Sequence, residues 1–519
     1  MTAMKPSTLR IGRRYRPSRL APEYDALVIG SGISGLTTAA LLSDLGWRVC
    51  VLEQHYTAGG YTHSYERHGY EWDVGVHYIG DVGAKTRTRR MFDYLTDGQL
   101  QWAPMDEEYD RFYVGDKVFN AVAGKAEFRD NLVRQFPAEE RAIDQYMALL
   151  SQVSGALSMF GMARAMMPWQ KTLATPYLKW KTPDFIFRNT YDVLSELTDD
   201  QDLIAVICGQ WGDMGLPPKQ SVFMVHAMIA RHYLYGGFYP IGGSWRIAEY
   251  IIPKIRAAGG EVFTYAKVEE ILVDRGETKG VRMSDEHVIE CPVVVSSAGV
   301  DNTFGHLLPA ELVRAKGYDR SLGAVRPSIG HLCLYIGLKG TAENLGLPKT
   351  NFWIYPHNDF DRAVADFRAD PDAPFPVVYI SFPSAKDPEY LDRHPGTATI
   401  EIVAPAPYEQ FERWKGTTWG KRGADYELLK DRLSARLLRH LYDKLPQLDG
   451  KIDYHELSTP LSTEWFAAYR HGELYGLDHT PERLQQDWLT PRTRVPGLWL
   501  TGQDILTCGV TGAMMAGLL

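Results

Sequence analysis

The residues best suited to redox chemistry cluster between Asp25 and His77. Gly30, Ser31, Gly32, Ile33, Ser34 and Gly35 form a GxGxxG motif directly after the apolar run Ala26 to Ile29, and Glu53 closes a second apolar run, Arg48 to Leu52. Between a strand and a helix, such a motif holds a pyrophosphate. Gly30 permits the tight turn, Gly32 lets the backbone approach the phosphates at the helix N-terminus, and Gly35 lets helix pack on strand. Glu53 is expected to accept hydrogen bonds from a ribose hydroxyl pair. A lone GxGxxG is weak evidence, but here the flanking strands and the terminal acid supply the context that confirms it. Gly59-Gly60 adds a second close backbone approach where a nicotinamide dehydrogenase would start another helix. This suits a flavin dinucleotide lying extended along the domain. Asp73, Gly75 and His77 follow on an expected strand.

These residues need a large scaffold. The chain has 519 residues, 45% hydrophobic and 23% charged, enough for two or three domains with a substantial core. Its net charge of -8 argues against a general nucleic-acid binder. Thirteen Trp and 29 Tyr suit either a large apolar cavity with polar tips or ordinary core packing. The five cysteines, Cys50, Cys208, Cys291, Cys333 and Cys508, include no CxxC pair. They read as buried thiols in a reducing compartment, with no metal site. No apolar run is long enough to span a bilayer and no signal peptide is evident, so the expected location is cytoplasmic or peripheral at the cytoplasmic membrane face.

Residues 1–22 carry six Lys or Arg and no acid, and read as a flexible basic arm able to touch anionic lipid. Residues 23–93, 239–300 and 490–519 are expected to build a discontinuous cofactor domain. Residues 94–238, mostly helical, and 301–489, with strands at His331 to Leu338, Phe375 to Phe382 and Thr397 to Ala404, are expected to form a substrate domain inserted into it. The expected class is therefore α/β, a Rossmann-type FAD-binding domain with an inserted α+β domain. Met147, Met159, Met162, Met166, Met167 and Trp169 could form a deformable face for a membrane or a lipid tunnel, or could simply pack a core. Ser244 is a candidate N-cap for a helix running to Ala258. Near the C-terminus, Gly502 and Asp504 lie in a turn where Asp504 would hold ribityl or pyrophosphate-side groups. Gly509, Val510 and Thr511 open a helix whose positive end would favour an anionic reduced flavin.

Leu52-Glu53-Gln54-His55, Ala58-Gly59-Gly60, His63 and Gly75-Val76-His77-Tyr78-Ile79-Gly80 resemble the flavin motif of the retinol saturase branch of the phytoene desaturase and carotenoid isomerase family. The resemblance continues through Phe382-Pro383-Ser384-Ala385-Lys386-Asp387-Pro388, Tyr475-Gly476 and Thr507-Cys508-Gly509, covering nearly everything after Glu23. It implies a two-dinucleotide-binding-domain flavoprotein, with Gln54 in the FAD site, Val268 as a backbone partner of adenine and Ala298 as a second wall. Tyr61-Thr62 stands where vertebrate members carry paired cysteines, and their membrane-targeting N-terminus has no counterpart here.

The implied reaction is saturation of one carbon–carbon double bond of a retinoid, carotenoid or similar polyene, by hydride from reduced flavin and a proton from an acid. His77 is the first candidate for that acid and also lies beside the cofactor; Tyr78, Tyr475 and Cys508 follow it. No second GxGxxG opens a helix, so NAD(P)H would bind a shared cleft or another protein would supply the electrons. The same scaffold could instead run carotenoid desaturation or cis-trans isomerisation. A flavin- and lipid-binding protein without turnover is the alternative of another class.

Overall fold

The computed structural model describes residues 9–519. Six strands form one parallel sheet, in the spatial order Arg13–Arg14, Glu261–Thr264, Val49–Leu52, Ala26–Ile29, Val294–Ser296 and Leu498–Leu500. The runs ALVI and VCVL are wholly buried, as parallel strands covered on both faces must be. The helix Ile33–Asp44 starts directly after the glycine turn and packs against the helices Arg246–Ala257 and Gly509–Leu518. Two glycines set these approaches. At Gly35 a Cβ would lie 2.3 Å from the Gly30 carbonyl oxygen, and at Gly517 one would lie 2.6 Å from that of Ser34.

Seven strands form a second sheet, ordered Ile452–Ser458, Gly330–Lys339, Thr397–Ala406, Val378–Ser381, Asn351–Tyr355, Glu108–Val114 and Lys117–Val122. Its period-two alternation sorts side chains between faces. Leu332, Leu334, Ile336, Ile400 and Ile402 join a core with Leu433, Leu437 and Leu441 of the helix Ala424–Lys444. On the other face, Trp353, Tyr355 and Tyr379 join a core with the helices Glu140–Ala165 and Phe223–Tyr233. Glu401 alternates with Ile400 and Ile402, so it points away from their core.

Three expectations change and one is refined. Residues 9–22 are not a free arm: Arg13–Arg14 pairs in parallel with Phe263 and Thr264, and Ile11 exchanges hydrogen bonds with Thr57 and Ala58. An unpaired sheet edge recruits any nearby extended segment that can satisfy its backbone groups. The first eight residues of the arm lie outside the described residues. Residues 94–238 include the strands Glu108–Val114 and Lys117–Val122, which extend the second sheet. The strand expected to carry His77 ends at Asp73, and Gly75 and His77 lie in the irregular segment after it. Ser244 does not cap its helix; its hydroxyl donates to Asp73 at 2.6 Å, because a buried carboxylate competes better than the first helical turn. Among the described residues, no helix is long and apolar enough to cross a membrane.

The packing at Gly35 gives a direct test. Gly35→Ala should cost about 1–3 kcal/mol by overpacking, seen as a lower thermal midpoint in differential scanning fluorimetry; an unchanged midpoint would mean that helix and strand part freely.

Candidate active site

A cavity of about 3060 Å³ lies between the two sheets. Of the residues singled out above for cofactor binding, all but Ser31 and Gly35 line it, as do His77, Tyr78, Tyr475 and Cys508. Sequence positions as distant as Gly30, Val268, Ala298, Gly502 and Thr511 therefore share one wall. Ser31 and Gly35 act behind that wall, Gly35 through close packing and Ser31 through Glu53.

At the nucleotide end, Gly30 turns the chain with φ +94°, which favours glycine. Gly32 has nothing within 4 Å of where a Cβ would stand. Ser31 donates to Glu53 Oε2 from its amide at 2.9 Å and from its hydroxyl at 2.8 Å, and the His55 amide donates to Oε1 at 2.8 Å. A carboxylate has about four acceptor positions, so about one remains for a ribose hydroxyl. The expectation that Glu53 takes both hydroxyls is narrowed accordingly. Asp504 is also already engaged, accepting from the amides of Val300 at 2.9 Å and Leu477 at 3.0 Å. It fixes the wall first, and any contact with a ribityl group uses what acceptor capacity is left.

The wall fits an extended dinucleotide such as FAD. Gly32 leaves room for a pyrophosphate, and Gly509 opens the helix Gly509–Leu518 with no atom near its missing side chain. The hydroxyls of Thr501 and Thr511 are buried without a hydrogen-bond partner while lining the cavity. Buried polar atoms are seldom left unpaired. Beside this wall, Tyr61 stacks on Tyr469 with ring centroids 5.8 Å apart, and its hydroxyl donates to the Glu473 carbonyl.

At the other end of the cavity a buried polar cluster surrounds His77. Its Nδ1 lies 2.7 Å from Glu401 Oε2, while the Asp73 amide donates to Glu401 Oε1 at 2.9 Å. The Lys386 ammonium is buried and donates to the His77 carbonyl at 3.0 Å, to Ser381 at 2.7 Å and to Asn351. Burial, opposed by the Lys386 charge, raises Glu401 to about 8. Burial and then Lys386 lower His77 to about 3, and burial lowers Lys386 itself to about 7. Burial and then Glu401 raise Asp73 to about 6. A close His–Glu contact invites an ion-pair reading, but burial opposes the charged form of both partners. His77 and Glu401 are therefore read as a neutral pair sharing one dissociable proton.

The other three catalytic candidates are more constrained. Tyr78 donates to Asp110 at 2.9 Å, Tyr475 donates to the Gly212 carbonyl at 2.8 Å, and burial raises the Cys508 thiol to about 12. Glu401 was missed by the sequence reading, and so was any role for Lys386. The available signal for Glu401 was one acid inside the apolar strand TATIEIVAPA. Away from the cavity, Glu66, Glu71 and His394 come close enough to share a cation, but Arg393 already lies 2.9 Å from Glu71.

The open space at Gly32 separates binding from folding. Gly32→Ala should keep the wild-type thermal midpoint measured without cofactor, yet lose at least about tenfold in dinucleotide affinity because its methyl group occupies the phosphate approach; equal affinity by isothermal titration would place the phosphates elsewhere.

Residues 28–95 match the family described as NAD(P)-binding Rossmann-like domain. Among solved structures, an oxidoreductase from Methanosarcina mazei aligns with TM-score 0.61 at 16% identity, covering 95% of this chain and 98% of its own. Wild-type putrescine oxidase bound to putrescine aligns with TM-score 0.62 at 15% identity, covering 95% and 97%. At such identities the likeness is one of fold. Prolycopene isomerase from Daucus carota is 26% identical over 518 residues, 95% of this chain and 79% of its own. All-trans-retinol 13,14-reductase from Macaca fascicularis is 38% identical over 524 residues, 97% of this chain and 86% of its own. Identity sustained through both the cofactor sheet and the inserted sheet shows that the chain belongs to the all-trans-retinol 13,14-reductase, or retinol saturase, family.

Proposed function

We propose that this protein is an FAD-dependent oxidoreductase that saturates one carbon–carbon double bond of a retinoid or related polyene lipid. The observation that carries this reading is the opening of His77, backed by Glu401, onto the same cavity as the glycine wall, in a chain of the retinol saturase family. Reduced FAD, when bound, supplies the hydride equivalent. Gly30, Gly32, Gly59, Gly60 and the first turn of the helix Gly509–Leu518 hold its phosphates and ring, while Val268 and Ala298 flank the adenine. Trp353, Tyr379 and Tyr233 give the polyene an aromatic, water-poor wall.

His77 donates the proton that completes the addition, and Glu401 replaces it at Nδ1. Hydride plus proton make a product two hydrogens heavier than the substrate. The Asp73 amide positions Glu401 and Lys386 holds the His77 carbonyl, neither touching the substrate. Tyr78, Tyr475 and Cys508 then have supporting roles, since the two phenols already donate elsewhere and the thiol is strongly held as a thiol. Electrons reach the flavin from NAD(P)H in the shared cleft or from a protein donor; anaerobic mixing with NADPH alone distinguishes the two by whether the flavin bleaches.

A lipid substrate needs an entrance. The helix Pro168–Lys181 exposes Trp169, Leu173, Tyr177 and Trp180, at 56–75% of their surface, with the spacing of one helical face. The Met-rich stretch thus divides: Met147 is buried, while Met162 and Met167 are exposed next to this face. Leu157, Gly161 and Met162 of the preceding helix line the cavity. We infer that this aromatic face rests on a lipid surface and admits the polyene past Met162. Trp169→Ser with Trp180→Ser should lower co-sedimentation with anionic vesicles by at least about threefold while leaving flavin content unchanged; undiminished binding would move the contact to another face.

Turnover tests the chemistry. The photoreduced anaerobic protein mixed with all-trans-retinol should return to oxidised flavin and yield a product two hydrogens heavier. An isomerised product with flavin still reduced would instead favour the reaction named for the carrot relative. Because Glu401 acts as a protonated acid, kcat should fall as pH rises through about 8. Glu401→Gln should slow turnover by about 10²–10⁴-fold and abolish that alkaline limb; a mutant with an unaltered profile would assign the limb to another group.

A further inference from the structure

A second acid faces the cavity. Asp213 ends the short turn Trp211–Asp213 and lines the cavity with its neighbours Trp211 and Gly212. Its Oδ2 is buried and has no hydrogen-bond partner. Tyr78 donates to Asp110, Tyr475 to the Gly212 carbonyl, and the Cys508 thiol to Asp213's own carbonyl at 3.6 Å, while the Tyr379 hydroxyl and the indole N–H groups of Trp211 and Trp353 are, like Oδ2, buried without a partner. Trp353, Tyr233 and Tyr379 supply the remaining wall of this lobe. Burial first and the Asp110 charge second push the Asp213 carboxyl well above the usual carboxylate range, with Tyr78 acting the other way, so the proton-bearing form is favoured.

An orphaned carboxyl oxygen in an aromatic lobe calls for a ligand with one polar group on a largely apolar body. A carboxylic acid donates one hydrogen bond and accepts another. A hydroxyl does the same and can satisfy it in both senses, whereas a pure hydrocarbon leaves Oδ2 unpaired. We propose that Asp213 binds the terminal hydroxyl of a polyene alcohol and thereby selects alcohols over hydrocarbon polyenes. This rests on the reading of the cavity as a polyene site. It separates the alcohol named for the macaque relative from a wholly hydrocarbon substrate by a single side chain.

Binding to the oxidised, flavin-loaded protein, followed by quenching of tryptophan fluorescence, tests the assignment without turnover. The ligands are all-trans-retinol and the analogue with a methyl group in place of its hydroxymethyl end. Wild type should bind the alcohol at least about tenfold more tightly than the analogue. Asp213→Leu should bring that ratio near one by weakening the alcohol alone, and Asp213→Ala, which adds no bulk, should do the same if leucine disturbs the turn. Asp213→Asn, still able to hydrogen-bond, should keep most of the preference. A wild-type ratio near one, or an undiminished ratio in both Asp213→Leu and Asp213→Ala, would overturn the proposal. So would wild-type affinities combined with lost turnover, which would make Asp213 a proton donor instead. A tenfold preference removed by these substitutions, in a protein that forms no dihydro product, would uphold Asp213 as the hydroxyl site and reject the saturase reading alone.

Discussion

An ammonium group buried where two sheets meet is tolerated only among acids and acceptors, and Lys386 is buried at that junction. Its hydrogen-bond partners come from three separate segments, the loop at His77 and the strands bearing Asn351 and Ser381, and Glu401 acts on it electrostatically. Asn351 passes the connection to Asp110, and Glu401 passes it to the Asp73 amide. Leaving one such buried donor or acceptor without its partner typically costs about 1–3 kcal/mol. The cluster therefore fixes the inserted sheet against the cofactor side. The same burial leaves the His77–Glu401 pair neutral and able to part with a proton. Structural support and the neutrality of this pair have one physical origin here.

The cavity has two unlike ends. Around the glycine wall, backbone amides and unpaired hydroxyls favour a polyanion; around Tyr379 and Trp353, aromatic faces with isolated polar tips favour a largely apolar body. Neither sheet supplies both environments, which is why a parallel sheet and a mixed sheet must interleave along the chain.

Much of the cofactor side was legible because its signals are local. The strand Ala26–Ile29 and the helix starting at Ile33 follow from adjacent residues, and so does the acid at Glu53. Three kinds of feature were not legible. Ser244 has the right residue type for an N-cap, but whether it serves as one depends on a buried Asp73 that no short window reveals. The pairing of Arg13–Arg14 depends on a strand about 250 residues away. Glu401 in an alternating strand reads as a solvent-facing residue, and only the strand Tyr70–Asp73 and the loop at His77, folded over that face, make it interior. The inserted strands were readable one by one, but their order was not, because antiparallel alternation is silent about partners.

The parallel sheet also constrains how the chain is made. Its central strand Ala26–Ile29 pairs with Val294–Ser296, and that strand gains its outer neighbour only with Leu498–Leu500. As the chain leaves the ribosome, this edge stays open while five of the seven strands of the inserted sheet, from Gly330–Lys339 to Ile452–Ser458, are made. Contacts spanning such sequence distances form late and leave unpaired edges exposed. The dinucleotide wall, which needs Gly502 and Thr511 as much as Gly30, is thus among the last parts of the molecule to exist.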